Sequence, residues 1–468
     1  MPGSDLAADI CTGFRERLED PAVQSLMQRD QPNFWNNNIR SLFNKSVVVE
    51  YGFGTGHTIF ESMIAPAMSG AQGEIILVTC FWAPSESLNE IKTALRMISS
   101  ARDHQLPAIR VRICFSSSSV LQKLMHTSSL RGRTYAQTTA WKLLGLKALP
   151  GIDLRVKSMF VRPISVMHTK FVIIDRSTVF LPSCNVSHEN WLEVCVRLSG
   201  PIVSLFMNFW LDFWVDAGDE ACYLANASVP PNFEIGYPRM TNMICTQHCQ
   251  HSLYTAFLPS PHHSDVKTLW CARQAPQTPL NMYLLELFGN AKRSIFIQTP
   301  NITSRPVLDE LERALWRNLD VRIITNDRLM TNEQIVTART TTPKCVRELI
   351  KNHRKALRSM ADDPERSYGS LRISYYRSTT HSRKQSEERG LVDPVKSHMK
   401  VTIVDDQIVV LGSGNMDRAS WFTSQELGVA FDSDEFAGTI RQVIEHEIMG
   451  DRLVDVYNGR PTVNSAQE

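Results

Sequence analysis

The feature that most constrains this chain is a five-residue pattern that occurs twice. In HTKFVIIDRSTVFLPSCN stand His168, Lys170 and Asp175, followed by Ser183 and Asn185. In HMKVTIVDDQIVVLGSGN stand His398, Lys400 and Asp405, followed at the same offsets by Ser413 and Asn415. Two copies of H-x-K-x4-D in one chain indicate duplication, and the flanking segments repeat with them. VVVEYGFGTGHTIFESMIAPAMSGAQGEIILVTCFWAP reads as a short strand at 47–50, a glycine turn, a helix near 57–69 and a strand at 74–81. LNMYLLELFGNAKRSIFIQTPNITSRPVLDELERALWRNLDVRIIT reads as helix, strand, Pro-containing turn, helix and strand. Thr79 precedes His168 by 89 residues, and its counterpart Thr299 precedes His398 by 99. Strands alternating with helices in both halves predict an α/β fold of two lobes with largely parallel or mixed sheets.

The rest of the chain fits around these lobes. Residues 1–30 read as an N-terminal helical lead-in, 31–235 as the first lobe, 236–460 as the second and 461–468 as a flexible tail. A helix at Ser87–Ser99 and a strand at Ile109–Phe115 extend the first lobe, and PIVSLFMNFWLDFWVDA (201–217) has the spacing of a buried helix. Gly52, Gly54 and Gly56 do not fit a dinucleotide or P-loop fingerprint, because His57 breaks the first and no Lys-Ser/Thr follows for the second. The polar insertions Ala361–Ser370 and Arg377–Arg389 read as exposed loops.

Composition excludes several classes. A net charge of +2, from 50 basic and 48 acidic residues, is not that of a protein that coats nucleic acid. Ten cysteines in 468 residues are too few for a disulfide framework. The N-terminus carries early charges and no apolar core of signal-peptide length. The strongest apolar runs fall short of the roughly 20 residues of a membrane span. The expectation is an intracellular protein, cytoplasmic or in peripheral contact with a membrane.

The paired motif carries its own chemistry. In H-x-K on a strand the imidazole and ammonium share a face. A lysine beside a histidine makes a poor metal site and a good phosphate site, since it gives a fixed positive charge and three donors next to a nucleophile or acid. Ser183, Asn185, Ser413 and Asn415 add uncharged donors. Two copies supply two histidines, one to attack a phosphodiester and the other to protonate the leaving alkoxide and then deprotonate the incoming hydroxyl. No metal or other cofactor is required. A carboxylate on the other ring nitrogen would fix the tautomer of each imidazole. Glu426, eleven residues after Asn415, is the candidate within the second lobe, and Glu193, eight after Asn185, is the candidate within the first. Asp175 and Asp405 are grouped with the catalytic pairs as motif members, although their place near a strand end also suits a structural role.

These motifs resemble the phospholipase D superfamily, named for its paired H-K-D signature, over roughly residues 45–450. Thr299-Pro300 followed by a helix, and the Phe206–Trp214 helix after the first motif, are similar to the two-motif branch that includes cardiolipin synthases. The resemblance implies a monomer whose two lobes share one active site, a covalent phosphohistidine intermediate, His168 as nucleophile and His398 as acid/base. It implies a phospholipid or related phosphodiester as substrate and water or an alcohol as acceptor. A metal-independent nuclease or nucleotide phosphodiesterase is the alternative, and a catalytically silent scaffold is a third class. The sequence departs from the family's G-S/G-x-N at Pro182, which stands where the second copy has Gly412.

Other stretches admit plainer readings. Cys245, His248, Cys249 and His251, with His262, His263 and Cys271, lack a standard zinc spacing and read as part of the inter-lobe connection. TYAQTTAWKLLGLKAL, after Arg131-Gly-Arg133, reads as a helix packed on its lobe rather than an interfacial one. Arg377–Lys384 reads as a solvated loop rather than a headgroup site. Phe81-Trp82 and Thr299–Asn301 suit either the pocket mouth or the core.

Overall fold

The computed structural model describes residues 5–21, 23, 39–102, 105–119, 132–161, 165–216, 243, 245–261, 275–360, 367–388, 390 and 392–460. Seven principal strands form the first lobe: β1 (Phe43–Gly54), β2 (Glu74–Phe81), β3 (Ile109–Ser117), β4 (Ile152–Ser158), β5 (Phe171–Ile174), β6 (Thr178–Pro182) and β7 (Trp191–Ser199). The second lobe repeats them as β8 (Cys245–Ser260), β9 (Ser294–Gln298), β10 (Asp320–Thr325), β11 (Leu371–Tyr376), β12 (Val401–Val404), β13 (Ile408–Gly412) and β14 (Glu426–Asp432). A further strand, β15 (Leu453–Gly459), runs antiparallel to β11.

The spatial order in the first lobe is β4-β3-β2-β5-β6-β7-β1, with β2, β3 and β4 parallel and the other neighbours antiparallel. The second lobe has the same order and senses, β11-β10-β9-β12-β13-β14-β8. The lobes join where β1 pairs antiparallel with β8, Phe43 opposite Ala256 and Phe53 opposite Cys245. The fold is therefore a duplicated mixed sheet flanked by helices. The central strands are buried along nearly their whole length, as in EIILVTCF of β2, because helices cover the parallel part.

Helix Ile202–Trp214 is apolar on most of its surface because it bridges the two halves. Phe206 lies edge-on to Phe171 of the first lobe at 5.3 Å and to Phe257 of the second at 5.0 Å. Burial of such rings contributes roughly 2 kcal/mol apiece. The lead-in helix Asp5–Glu19 packs on Pro279–Asn290 of the second lobe, with Phe14 5.6 Å from Tyr283 and Arg17 bonded to Glu286 at 2.6 Å.

Several local readings are corrected. The strand expected at 47–50 extends through Gly54, so Gly52 and Gly54 lie in β1 rather than in a turn. A Cβ there would stand 2.5 Å from Met243 Cε and 2.3 Å from Thr58 Oγ1, which explains the glycines by close approach. The helix that follows begins at Gly56, capped by Thr55, and contains a π turn at Phe60–Ile64. The Arg377–Arg389 insertion contains a helix, Thr380–Glu388, not a loop. Asp393 anchors it, accepting from Ser382 and Ser386 at 3.2 Å and from Arg452 at 2.7 Å. Of the other insertion, 361–366 lie outside the described residues, while Tyr368 is buried in the core. Cys245–Ser260 is strand β8, with His248 bonded to Glu50 at 3.2 Å. His262, His263, Cys271, Arg131 and the tail at 461–468 lie outside the described residues. Helix Gln137–Leu144 buries Ala140, Trp141 and Leu144 against its lobe.

Candidate active site

Both H-x-K triplets lie just before a strand rather than within it: His168-Thr169-Lys170 lead into β5, and His398-Met399-Lys400 lead into β12. Each lead-in is extended because it pairs with the other lobe. Met167 bridges Gln425, and His168 N donates to Gln425 O at 2.8 Å. Trp191 and Leu192 pair in parallel with Lys396 and Ser397, and His398 N donates to Leu192 O at 2.8 Å.

The result is an exchange of carboxylates. His168 Nδ1 lies 2.9 Å from Glu426, and His398 Nδ1 lies 2.8 Å from Glu193. Each lobe thus supplies the glutamate that orients the other lobe's imidazole. Sequence proximity placed each glutamate in a lobe but could not reveal this, because the pairing is made by strands 258 and 205 residues apart. The serines complete both half-sites in the same way. Ser413 Oγ donates to Glu426 at 2.5 Å and accepts from Leu427 N at 3.0 Å. Ser183 Oγ donates to Glu193 and accepts from Val194 N at 2.9 Å. Pro182 therefore leaves the serine's bonds intact. Its partner across the strands is Cys195, whereas Gly412 faces Gly428 so closely that a Cβ would meet Leu427 O at 2.3 Å. The longer Asn-to-Glu spacing of the second copy is accounted for by the short helix Arg418–Phe422, capped by Asp417.

Lys400 Nζ lies 2.9 and 3.0 Å from the ring nitrogens of His398 and donates to its carbonyl oxygen at 2.6 Å. Lys170 Nζ donates to His168 O at 2.7 Å. Asn185 accepts from Phe81 N at 3.2 Å, and Asn415 donates to Asp417 at 3.0 Å. The two half-sites differ in exposure: the His168 side chain is 13% exposed and that of His398 is 2%. Trp191 covers His398, with ring centroids 4.8 Å apart.

Burial depresses the basicity of the site. It lowers His398 to about 4 and Lys400 to about 7, with Lys170 lowering both further and Glu193 opposing. His168 is also lowered, by burial first and then by Lys170 and Lys400 against the pull of Glu426. Burial pushes Glu193 and Glu426 up, but their histidine and lysine neighbours outweigh it and hold both carboxyls below the usual range. Each lobe's cation thus acts on the other lobe's histidine, which makes one electrostatic unit of the two copies.

Asp175 and Asp405 stand apart from this cluster. Each takes positive φ just past its four-residue strand, about 16 Å along the chain from the motif lysine. Asp175 accepts from the backbone N–H groups of Gln72, Gly73 and Glu74, at 2.7–2.8 Å. Asp405 accepts from Lys292, Arg293 and Ser294, at 2.7–2.9 Å. Grouped in the sequence with the catalytic pairs, both carboxylates here tie the motif strand to the turn before its neighbour. Trp82 and Thr299–Asn301 are core rather than mouth, with Trp82 stacked on Phe115 and Thr299 Oγ1 accepting from Met416 N at 3.0 Å.

A duplicated mixed sheet with one His-Lys pair from each half is the arrangement that the resemblance to the phospholipase D superfamily leads one to expect. Residues 284–448 match the PLD-like domain of cardiolipin synthase. Cardiolipin synthase A from Pseudomonas putida (strain GB-1) and from Pseudomonas entomophila (strain L48) are each 21% identical over 306 residues, 63% of this chain and 50% of theirs. The chain spans half the length of these curated relatives. Phosphatidylserine synthase from Haemophilus influenzae Rd KW20 shares the fold, with a TM-score of 0.53 at 14% identity over 93% of this chain and 92% of that one. The second half of the chain thus matches the PLD-like domain of cardiolipin synthase, and the chain as a whole is similar in fold to the phosphatidylserine synthase.

Proposed function

We propose that this protein cleaves a phospholipid phosphodiester, or transfers its phosphatidyl group, through a covalent phosphohistidine. The observation that carries the reading is the crossed pairing of His168 with Glu426 and of His398 with Glu193. Both imidazoles are held by Nδ1; Nε2 of His168 is left for substrate, and Nε2 of His398 faces Lys400 Nζ at 3.0 Å. Lys170 and Lys400 supply charge for the phosphate oxygens.

Nε2 of His168 attacks phosphorus, and the P–O bond to the departing alkoxide breaks as His398 gives that oxygen its proton. His398 then takes the proton of water or an alcohol, whose oxygen displaces His168 from phosphorus. The greater exposure of His168 favours it as nucleophile. The depressed His398 gains its proton when the bound phosphate anion joins Glu193 in stabilising the imidazolium. Among the described residues no helix is long and apolar enough to cross a membrane.

The test is to incubate the protein with mixed phospholipids and, separately, single-stranded DNA, with and without a short alcohol, and to read products by mass spectrometry. Phosphatidic acid or a phosphatidyl-alcohol is expected. Shortened DNA with untouched lipid would replace this reading with a nuclease. The same assay with EDTA should lose no activity, whereas loss restored by added metal would overturn the two-histidine mechanism.

A further inference from the structure

We infer that Lys396 and Arg377, at the rim above His398, form a subsite for a second anionic group of the substrate, carried on the moiety that enters or leaves over that histidine. The inference deepens the phosphodiester reading above and rests on it for the place of the scissile phosphate.

Lys396 stands two residues before His398 in an extended segment, about 6.5 Å along the chain and on the same side by alternation. It pairs directly with Trp191, whose indole covers His398. The lysine side chain is 25% exposed, and its position is fixed. Asp327 accepts from Lys396 Nζ at 3.1 Å and from Arg377 at 3.0 Å. Asp327 itself follows Asn326, whose amide donates to Ser397 O at 2.8 Å and accepts from Ser397 N at 3.2 Å. Two cations share one carboxylate, so the trio keeps a net positive charge. Arg328 and Arg347 are exposed nearby in the fold, and the Arg347 charge acts, with those of Asp327 and Arg377, on Tyr375.

The equivalent position in the first copy is Val166, two residues before His168. The mouth is therefore unlike on its two sides, with an apolar side chain before one histidine and a held cation beside an indole before the other. A diester whose exchangeable group carries a phosphate or carboxylate would be oriented by that difference, with the second anion toward His398. Asp327 keeps the lysine and arginine spread for a ligand instead of free in solvent, which lowers the ordering cost of binding.

Binding to the intact protein tests this without requiring turnover. Isothermal titration calorimetry would compare inorganic phosphate, 3-phosphoglycerate and propanediol 1,3-bisphosphate. At least one of the doubly anionic probes should bind roughly tenfold more tightly than phosphate, the scale of one charge-assisted contact. The probe that gains names the second anion as carboxylate or phosphate. In Lys396→Ala and Arg377→Ala the preference should fall below about threefold with phosphate affinity little changed, and Lys396→Arg should keep it. Either single substitution leaves Asp327 one cation, which preserves the local fold. No preference in the unaltered protein, or a preference that survives the double substitution, would overturn the subsite. Absent lipid turnover with the preference intact would instead overturn the phospholipid reading and leave the subsite standing.

Discussion

Lys400→Met should stabilise the protein while ending catalysis. Lys400 is buried, and burial lowers it from 10.5 to about 7. At about 1.4 kcal/mol per unit, holding the ammonium in the native state costs about 5 kcal/mol below pH 7. Methionine keeps the apolar stem but gives up the Nζ bond to the His398 carbonyl, a loss of about 2 kcal/mol. The expected net gain is therefore about 2–3 kcal/mol at pH 6–7. Between about 7 and 10.5 the unfolded chain retains the lysine proton that the native state has released, so wild-type stability rises with pH in that window. The advantage of the variant should shrink by about 1.4 kcal/mol per pH unit, be gone near pH 9 and reverse above it. Urea denaturation of both proteins at several pH values, with unchanged m, reads the difference directly. A variant destabilised at pH 6–7, or a difference that does not vary with pH, would refute the reasoning.

Three further outcomes follow from the same geometry. Glu426→Gln and Glu193→Gln should each lower turnover by about 10²–10⁴, as loss of an orienting carboxylate does, with the folded structure retained by circular dichroism. Asp405→Ala should cost about 2–4 kcal/mol in denaturant unfolding, because three backbone donors lose a charged acceptor, while the rate per folded molecule stays near that of the wild type. Phosphate binding should weaken as pH rises above about 7, where empty Lys400 loses its proton. Titration in buffers of different ionisation enthalpy should show net proton uptake there.

What the sequence disclosed was the part carried by local pattern. The two lobes followed from the repeat of strand and helix periods around His168 and His398, and the buried helix from the apolar residues of 202–214 on nearly every face. The role of Asp175 and Asp405 was half visible: their distance past the lysine suggested a structural place, while membership of the motif suggested a catalytic one. The crossed glutamates were not visible, since nothing local to Glu193 or Glu426 records which imidazole it meets. That pairing arises only when the segment before each motif strand hydrogen-bonds to the opposite lobe. The helix at Thr380–Glu388 was missed because its composition is polar throughout. It is held by Asp393 and Arg452 rather than by an apolar face. Gly52 and Gly54 resembled a turn by composition, and only the contacts of Met243 and Thr58 explain them as strand glycines.

The central claim is that one histidine carries the phosphatidyl group between two half-reactions. The most direct measurement is intact-mass and peptide mass spectrometry of His398→Ala after incubation with the p-nitrophenyl ester of phosphatidic acid, whose phenolate leaves without a proton from His398. Without its acid/base partner the second half-reaction stalls, and a phosphatidyl or phosphoryl adduct on His168 is the expected result, absent from His168→Ala. An adduct on another residue, or normal turnover by either variant, would contradict the account.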